Sequence, residues 1–274
     1  MYKIVEKKVL SSQVTLFKIY APQIAKKRKP GQFIIFRVHD MGERVPLTIA
    51  DSDPQKGTVT IICQGIGKTT KMLNAMKEGE SLVDFVGPLG VPTHLENFGT
   101  SVVIGGGVGV AEAIPLAQGL KESGNKVICI MGFRSKDLVF MEKEFGQYSD
   151  KLYITTDDGT YGEKGLVTDV LKRLLEQGTS INFVLAIGPV LMMKAVSDLT
   201  KSKGIKTMVS LNTIMVDGTG MCGACRCTVN GKRKFACVDG PEFDGHEVDF
   251  EELIKRGNMY KSQEKQSEEC AQPK

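Results

Sequence analysis

The chain has 274 residues, long enough for two domains and a small third module. Its apolar and charged fractions, 41% and 25%, are ordinary for a globular protein, and a net charge of +4 is too slight to suggest a nucleic-acid partner. No apolar run is long enough to span a membrane, Met1-Tyr-Lys-Ile-Val-Glu-Lys-Lys is no signal peptide, and cysteines clustered at ligand spacing suggest a metal site in a reducing cytoplasm.

Residues 1–98 predict an antiparallel β-barrel or sandwich. Tyr2–Val9, Val14–Tyr20, Gln32–Val38, Thr58–Cys63 and Ser81–Val86 are short β-rich runs split by turn residues. Lys26-Lys27-Arg28-Lys29, before Pro30-Gly31, reads as a solvated loop. Arg44-Val-Pro46-Leu47-Thr48 places an arginine and a hydroxyl on an extended segment. A guanidinium forks onto two phosphate oxygens, so Arg44 suits a pyrophosphate, although an exposed strand arginine fits too. Gly65-Ile-Gly67-Lys-Thr69-Thr70 opens a helical run, Lys71–Lys77. It imitates a Walker A loop but has Ile62 where the first glycine belongs, so a nucleoside-triphosphatase is rejected. Free N–H groups at such a turn can still hold a phosphate, with Thr69 and Thr70 adding hydroxyls.

From residue 99 to 210 strands alternate with helices, which predicts a doubly wound parallel sheet. The strands are Val102–Ile104, Val127–Met131, Leu152–Thr155, Phe183–Ile187 and Thr207–Ser210, and Gly165–Gln177 is the clearest helix, with a leucine and valine stripe at three-and-four spacing. Gly105-Gly106-Gly107-Val-Gly109 joins the first strand to its helix, the place for a dinucleotide pyrophosphate, although Val110 breaks the usual glycine fingerprint. Asp157 and Asp158 end the third strand and Gly188-Pro189 the fourth, at the carboxyl ends where ligands gather; a turn or helix cap is the other reading of the two aspartates. Arg134 ends the second strand and could meet a 2′-phosphate, which leaves NAD against NADP open. No hydrolase pattern is present, and His39, His94 and His246 are scattered.

Residues 211–250 contain Asp217-Gly-Thr-Gly-Met-Cys222-Gly-Ala-Cys225-Arg-Cys227, then Cys237. The spacing follows the plant-type binuclear iron–sulfur pattern, C-x4-C-x2-C…C, with Asp217 in the first cysteine's place. A carboxylate can ligate iron, so Asp217 is placed ahead of Cys227 as the fourth ligand; structural zinc and a free-thiol loop are the rival readings. Asn230-Gly231 predicts a hairpin that brings Cys237 back to Cys222 and Cys225. Residues 251–274 read as one amphipathic piece and then a polar tail, Ser262–Lys274, disordered or partner-contacting, with Cys270 apart from any ligand.

This order of motifs resembles the ferredoxin–NADP reductase superfamily, in particular its members with a C-terminal [2Fe–2S] module. Asp217, Thr156-Asp-Asp-Gly-Thr-Tyr-Gly-Glu-Lys-Gly165 and Cys237-Val-Asp-Gly-Pro241 are similar to the small subunits of NADH-dependent ferredoxin:NADP oxidoreductases, which bifurcate electrons. The resemblance covers roughly residues 1–250. It implies FAD with Arg44, Gly67, Thr69 and Thr70 at the pyrophosphate, Ile62 among the contacts, and Pro46, Leu47 and Thr48 along the isoalloxazine. It implies NAD(H) at Gly106, Gly107 and Gly109, with Asp157, Asp158, Gly188 and Pro189 on the nicotinamide side, and a [2Fe–2S] cluster on Asp217, Cys222, Cys225 and Cys237. It further implies hydride transfer to flavin N5 with no acid or base side chain, and a larger partner, like the glutamate synthase small subunit, with a second FAD and [4Fe–4S] clusters that pass electrons to ferredoxin. Two departures stand out: the plant-type Arg-x-Tyr-Ser is Arg44-Val-Pro46-Leu-Thr48, and the cysteine of Cys-Gly-Pro is Ile187. The alternatives are a dihydroorotate dehydrogenase subunit, a hydrogenase-linked diaphorase subunit and a zinc-stabilised nucleotide-binding regulator.

Overall fold

Alternating burial along the first strands rolls them into a barrel. The computed structural model describes residues 1–270. Strands β1 (Tyr2–Val9), β2 (Val14–Tyr20), β3 (Phe33–Arg37), β4 (Val45–Asp53), β5 (Thr58–Gln64), β6 (Ser81–Leu82) and β7 (Asp84–Leu89) pair in the order β6-β1-β2-β5-β4-β3-β7. Only Val83 separates β6 from β7, so the two edges belong to one chain segment and the antiparallel sheet nearly closes. The single run expected over Ser81–Val86 is thus two strands. Phe17, Ile34, Phe36, Ile61 and Phe85 fill the interior. Two helices cover the barrel, α1 (Pro22–Lys27) and α2 (Lys68–Ala75). The basic cluster read as a loop is therefore partly helical: Lys26 and Lys27 close α1, where cations suit the carbonyl end.

The second sheet uses β8 (Thr100–Gly106), β9 (Lys126–Phe133), β10 (Lys151–Thr156), β11 (Glu163–Lys164), β12 (Phe183–Ile187) and β13 (Lys206–Ser210), all parallel, with α3 (Gly109–Glu122), α4 (Glu142–Gly146), α5 (Val167–Glu176) and α6 (Val190–Lys201) between them. The order β11-β10-β9-β8-β12-β13 reverses between β8 and β12. Beyond it come β14 (Arg226–Val229), β15 (Lys232–Phe235), α7 (Ala236–Asp239), β16 (Glu242–Asp244), α8 (Phe250–Gly257) and α9 (Lys261–Cys270). Asn230 and Gly231 turn β14 into β15 with φ of 49° and 67°, the left-handed pair that a two-residue hairpin requires.

Two features depart from the sequence reading. Strand β16 pairs antiparallel with β13, so the cysteine segment is stitched into the edge of the nucleotide sheet. The polar tail is helical over Lys261–Cys270, an outcome that its run of Glu, Lys and Gln favours. Residues 271–274 and the side chain of Cys270 lie outside the described residues. Among the described residues no helix is long and apolar enough to cross a membrane.

Asn125 locks the second sheet to the segment entering it. Its Oδ1 accepts from Phe98 N and Ser101 Oγ, and its Nδ2 donates to the carbonyls of Glu96 and Leu120, all at 2.8–3.0 Å. Asn125→Ala strands these buried partners, and we expect it to cost about 3 kcal/mol, read as an earlier midpoint in urea unfolding.

Candidate functional site

A cleft of ≈ 1110 Å³ opens where the strand order reverses, at the carboxyl ends of β8 and β12. Ligands of open α/β sheets gather at such a point. One wall is β4 of the barrel, through Pro46, Leu47 and Thr48; the other is the pair of turns holding Gly106, Gly107 and Gly109, and Gly188 and Pro189. Asp157 lies on the rim. Gly109 begins α3 against β12: a Cβ there would sit 2.4 Å from the carbonyl oxygen of Ile187, so only glycine allows this approach.

The remaining sequence candidates lie outside the lining. Arg44 is beside the cleft, its Nε donating to Val216 O at 2.7 Å and its guanidinium 3.2 Å from Asp84. Thr69 donates to Glu43 Oε2 at 2.6 Å. The Thr70 hydroxyl accepts from Ile66 N and Gly67 N, bracing the loop that Gly67 caps onto α2. From this loop Gly65, Ile66 and Lys71 reach the cleft instead. Ile62 is buried in the core between barrel and α3. Asp158 turns back on Thr160, whose hydroxyl and amide hold its carboxylate below the usual range.

Sequence reasoning missed Glu112, in the first turn of α3. Thr48 Oγ1 donates to its Oε2 at 2.9 Å and Ser210 Oγ to its Oε1 at 2.5 Å, so one carboxyl bridges the barrel, α3 and the end of β13. Burial raises its pKa against the pull of the two hydroxyls. Glu242 on β16 is similar: burial pushes it up to about 7 while Thr93 donates to it at 2.6 Å. The sequence signal for Glu112 was a carboxylate directly after a glycine turn, where a phosphate-binding helix start favours no second negative charge.

Past β13 the chain crosses the cleft through Leu211, Asn212, Thr213 and Met215 and enters the cysteine loop. Cys225 and Cys237 are buried with their sulfurs 3.2 Å apart, and Phe33 and Ile35 of the barrel join the same core. Asp217 accepts from Thr219 N at 2.8 Å and Cys222 N at 2.7 Å, bonds that lower its pKa. Cys222 is exposed. Cys227 points into the core from β14, its thiol 3.8 Å from Lys234 O and pushed up to about 12 by burial. Among the described residues no three such side chains converge on one metal point. Cys225 and Cys237 form one buried sulfur pair, while Asp217 accepts from the backbone N–H of Cys222.

Residues 212–249 match the iron–sulfur cluster binding domain of dihydroorotate dehydrogenase B. A Thermotoga maritima protein named as a homologue of the dihydroorotate dehydrogenase B (NAD(+)) electron transfer subunit is 48% identical, over 97% of this chain and 94% of its own. The chain belongs to this electron-transfer subunit family. A solved structure of an NADH-dependent reduced ferredoxin–NADP oxidoreductase, described for flavin-based electron bifurcation, superposes with a TM-score of 0.93 at 47% identity, covering 98% of this chain and 97% of that one. A cytochrome P450 reductase from Amycolatopsis shares the fold at a TM-score of 0.61 and 17% identity, over 74% of this chain and 65% of its own. This electron-transfer subunit is therefore an oxidoreductase component of the ferredoxin–NADP reductase type.

The subunit's geometry explains why the three parts share one chain. The barrel wall, the glycine turns and the segment leading into the cysteine loop, Leu211 to Met215, meet around one cleft, and Arg44 ties the barrel to that segment's end through Val216.

Proposed function

We propose that this chain is the small subunit of a bifurcating NADH-dependent ferredoxin:NADP oxidoreductase, exchanging hydride between NAD(H) and FAD and passing single electrons through a [2Fe–2S] cluster. The observation that carries the reading is the cleft at the strand reversal, walled by β4 on one side and the glycine turns on the other, and lined by residues 211–215 that lead into the cysteine loop. Flavin supplies the conversion of a two-electron hydride into single electrons. Pro46, Leu47 and Thr48 would carry its ring, and the loop of Gly67, Thr69 and Thr70 its phosphates with Arg44. Gly106, Gly107 and Gly109 leave room for a dinucleotide backbone, and Gly188 and Pro189 face them across the reversal. Ring-to-ring contact needs orientation rather than an acid or base, and the opposed walls supply it. Asp217, Cys222, Cys225 and Cys237 would hold the cluster.

The likeness to the bifurcating oxidoreductase supports ferredoxin as acceptor. We further propose a larger partner, like the glutamate synthase small subunit, carrying a second FAD and [4Fe–4S] clusters, and a cytoplasmic location. A dihydroorotate dehydrogenase partner is the second reading, favoured by the family match over 212–249. Asp217 in the first ligand position separates the two.

Anaerobic purification followed by a visible spectrum and assays of flavin, iron, sulfide and zinc tests the reading. About one flavin with about two irons and two sulfides per chain is the expected result. Zinc without flavin would overturn it.

A further inference from the structure

Glu112 is a carboxyl set into the wall of a redox cleft and held by two neutral hydroxyls, Thr48 Oγ at 2.9 Å and Ser210 Oγ at 2.5 Å. Each hydroxyl can donate or, once rotated, accept. The two hydroxyls can therefore bond either a carboxylate or a carboxylic acid, a property that a lysine or arginine partner would remove. Thr48 also lines the cleft, so the bonded chain runs from the cleft surface to the carboxyl without a gap.

The charge balance of the reaction gives such a group something to do. A hydride, two electrons and a proton, passes from a reduced nicotinamide to a flavin and leaves one more negative charge on the cleft's barrel side. An iron–sulfur cluster then accepts electrons and no proton. The cleft thus gains charge in one step and must shed protons in the next.

We propose that Glu112 is the proton store of this cleft, taking one proton from water when hydride enters and releasing it when the electrons leave through the cysteine loop. In the first step the nicotinamide C–H bond would break and an N–H bond form on the flavin, NAD+ would carry one positive charge away as it leaves, and Glu112 would gain an O–H with a proton from water, so the net charge of the cleft after NAD+ release is unchanged. In the second, two electrons depart and two protons go to solvent, the hydride's own and the one from Glu112. The inference rests on the flavin and NAD(H) reading above.

Other titratable groups surround the site. Lys71, Arg134 and Asp157 line the same cleft from α2 and the ends of β9 and β10. The elements packed on α3 carry Asp51 and Asp53 (β4), Lys126 and Cys129 (β9), and Glu142, Lys143 and Glu144 (α4). Lys206 lies at the far end of β13 from Ser210. Glu242 of β16 is repelled by Glu112, which helps keep that second carboxyl protonated. Burial already favours the acid form of Glu112, and added negative charge in the cleft favours it further.

The test is the pH dependence of the flavin midpoint potential in the full chain purified anaerobically with its cofactors, from about pH 5 to about pH 9. The wild-type chain is expected to show a window at least about one pH unit wide in which an extra proton is taken up per two electrons. Glu112→Gln keeps both hydroxyl partners, since an amide can accept from one and donate to the other, and it is expected to lose that window. Redox-difference infrared spectra of the wild-type chain give a readout independent of the variant's folding: a protonated-carboxyl band should grow on reduction. Absence of this band, or the same proton count in Glu112→Gln, overturns the proposal. Flavin that titrates normally in both proteins would sink the role of Glu112 alone, whereas a chain whose flavin is not reduced by NADH sinks the functional reading and this inference together.

Discussion

Cys225→Ser or Cys237→Ser is expected to empty the chain of iron while its flavin stays bound. The two sulfurs are 3.2 Å apart in a buried pocket, and the backbone N–H of Cys237 points at the Cys225 sulfur from 3.5 Å. A serine hydroxyl is a poor substitute for a thiolate that must ligate iron. The cleft wall proposed for the flavin is β4, a separate element that does not depend on these cysteines. NADH should therefore still bleach the flavin at close to the normal rate, while delivery to a one-electron acceptor falls on the order of 100-fold. Iron analysis and stopped-flow spectra on the same sample separate these effects. Cys227→Ser is the contrast. Cys227 is fully buried among apolar side chains, so the added hydroxyl should cost about 1–2 kcal/mol of stability and leave the iron in place. Iron lost from Cys227→Ser and kept in Asp217→Ala would show that the fourth ligand is Cys227.

Local signals carried the sequence reading a long way, and distant pairings limited it. The stripe Val167, Val170, Leu171 and Leu174 announces α5 because a helix face is set by neighbours three and four apart. Asn230-Gly231 announces its hairpin for the same local reason. The strand–glycine–helix junction at Gly105–Gly109 is equally local, and it lies on the cleft. Nothing local says that Glu242–Asp244 will pair with β13, since that register is chosen by the whole sheet. Nor does the sequence reveal that Thr48 and Ser210, far apart in the chain, meet on Glu112. Thr69 and Thr70, read as phosphate donors in the sequence, bond Glu43 and brace their own loop respectively, contacts that no local pattern announces.

Gly109→Ala should weaken dinucleotide binding at least about tenfold, close to 1.4 kcal/mol, while leaving flavin and iron contents unchanged. Gly109 has no unusual φ, so the effect is one of space alone. A methyl group there would lie 2.4 Å from Ile187 O and 2.8 Å from Ile187 C, both backbone atoms of β12. No rotamer change relieves a clash between two backbones, so α3 must move off the sheet. Overpacking of this kind costs about 1–3 kcal/mol. The movement opens the strand reversal, the place where Gly106 and Gly188 approach one another. Gly107→Ala is the matched comparison. Its Cβ would meet nothing within 4 Å, but its φ of 56° would strain an alanine by about 1 kcal/mol. If the junction holds the dinucleotide, Gly109→Ala acts through displaced walls and raises the NADH concentration needed for half-maximal flavin reduction, with a lower melting temperature. Unchanged NADH dependence in a destabilised Gly109→Ala would mean that the glycine turn serves only packing, and the nucleotide would have to be sought elsewhere along the cleft.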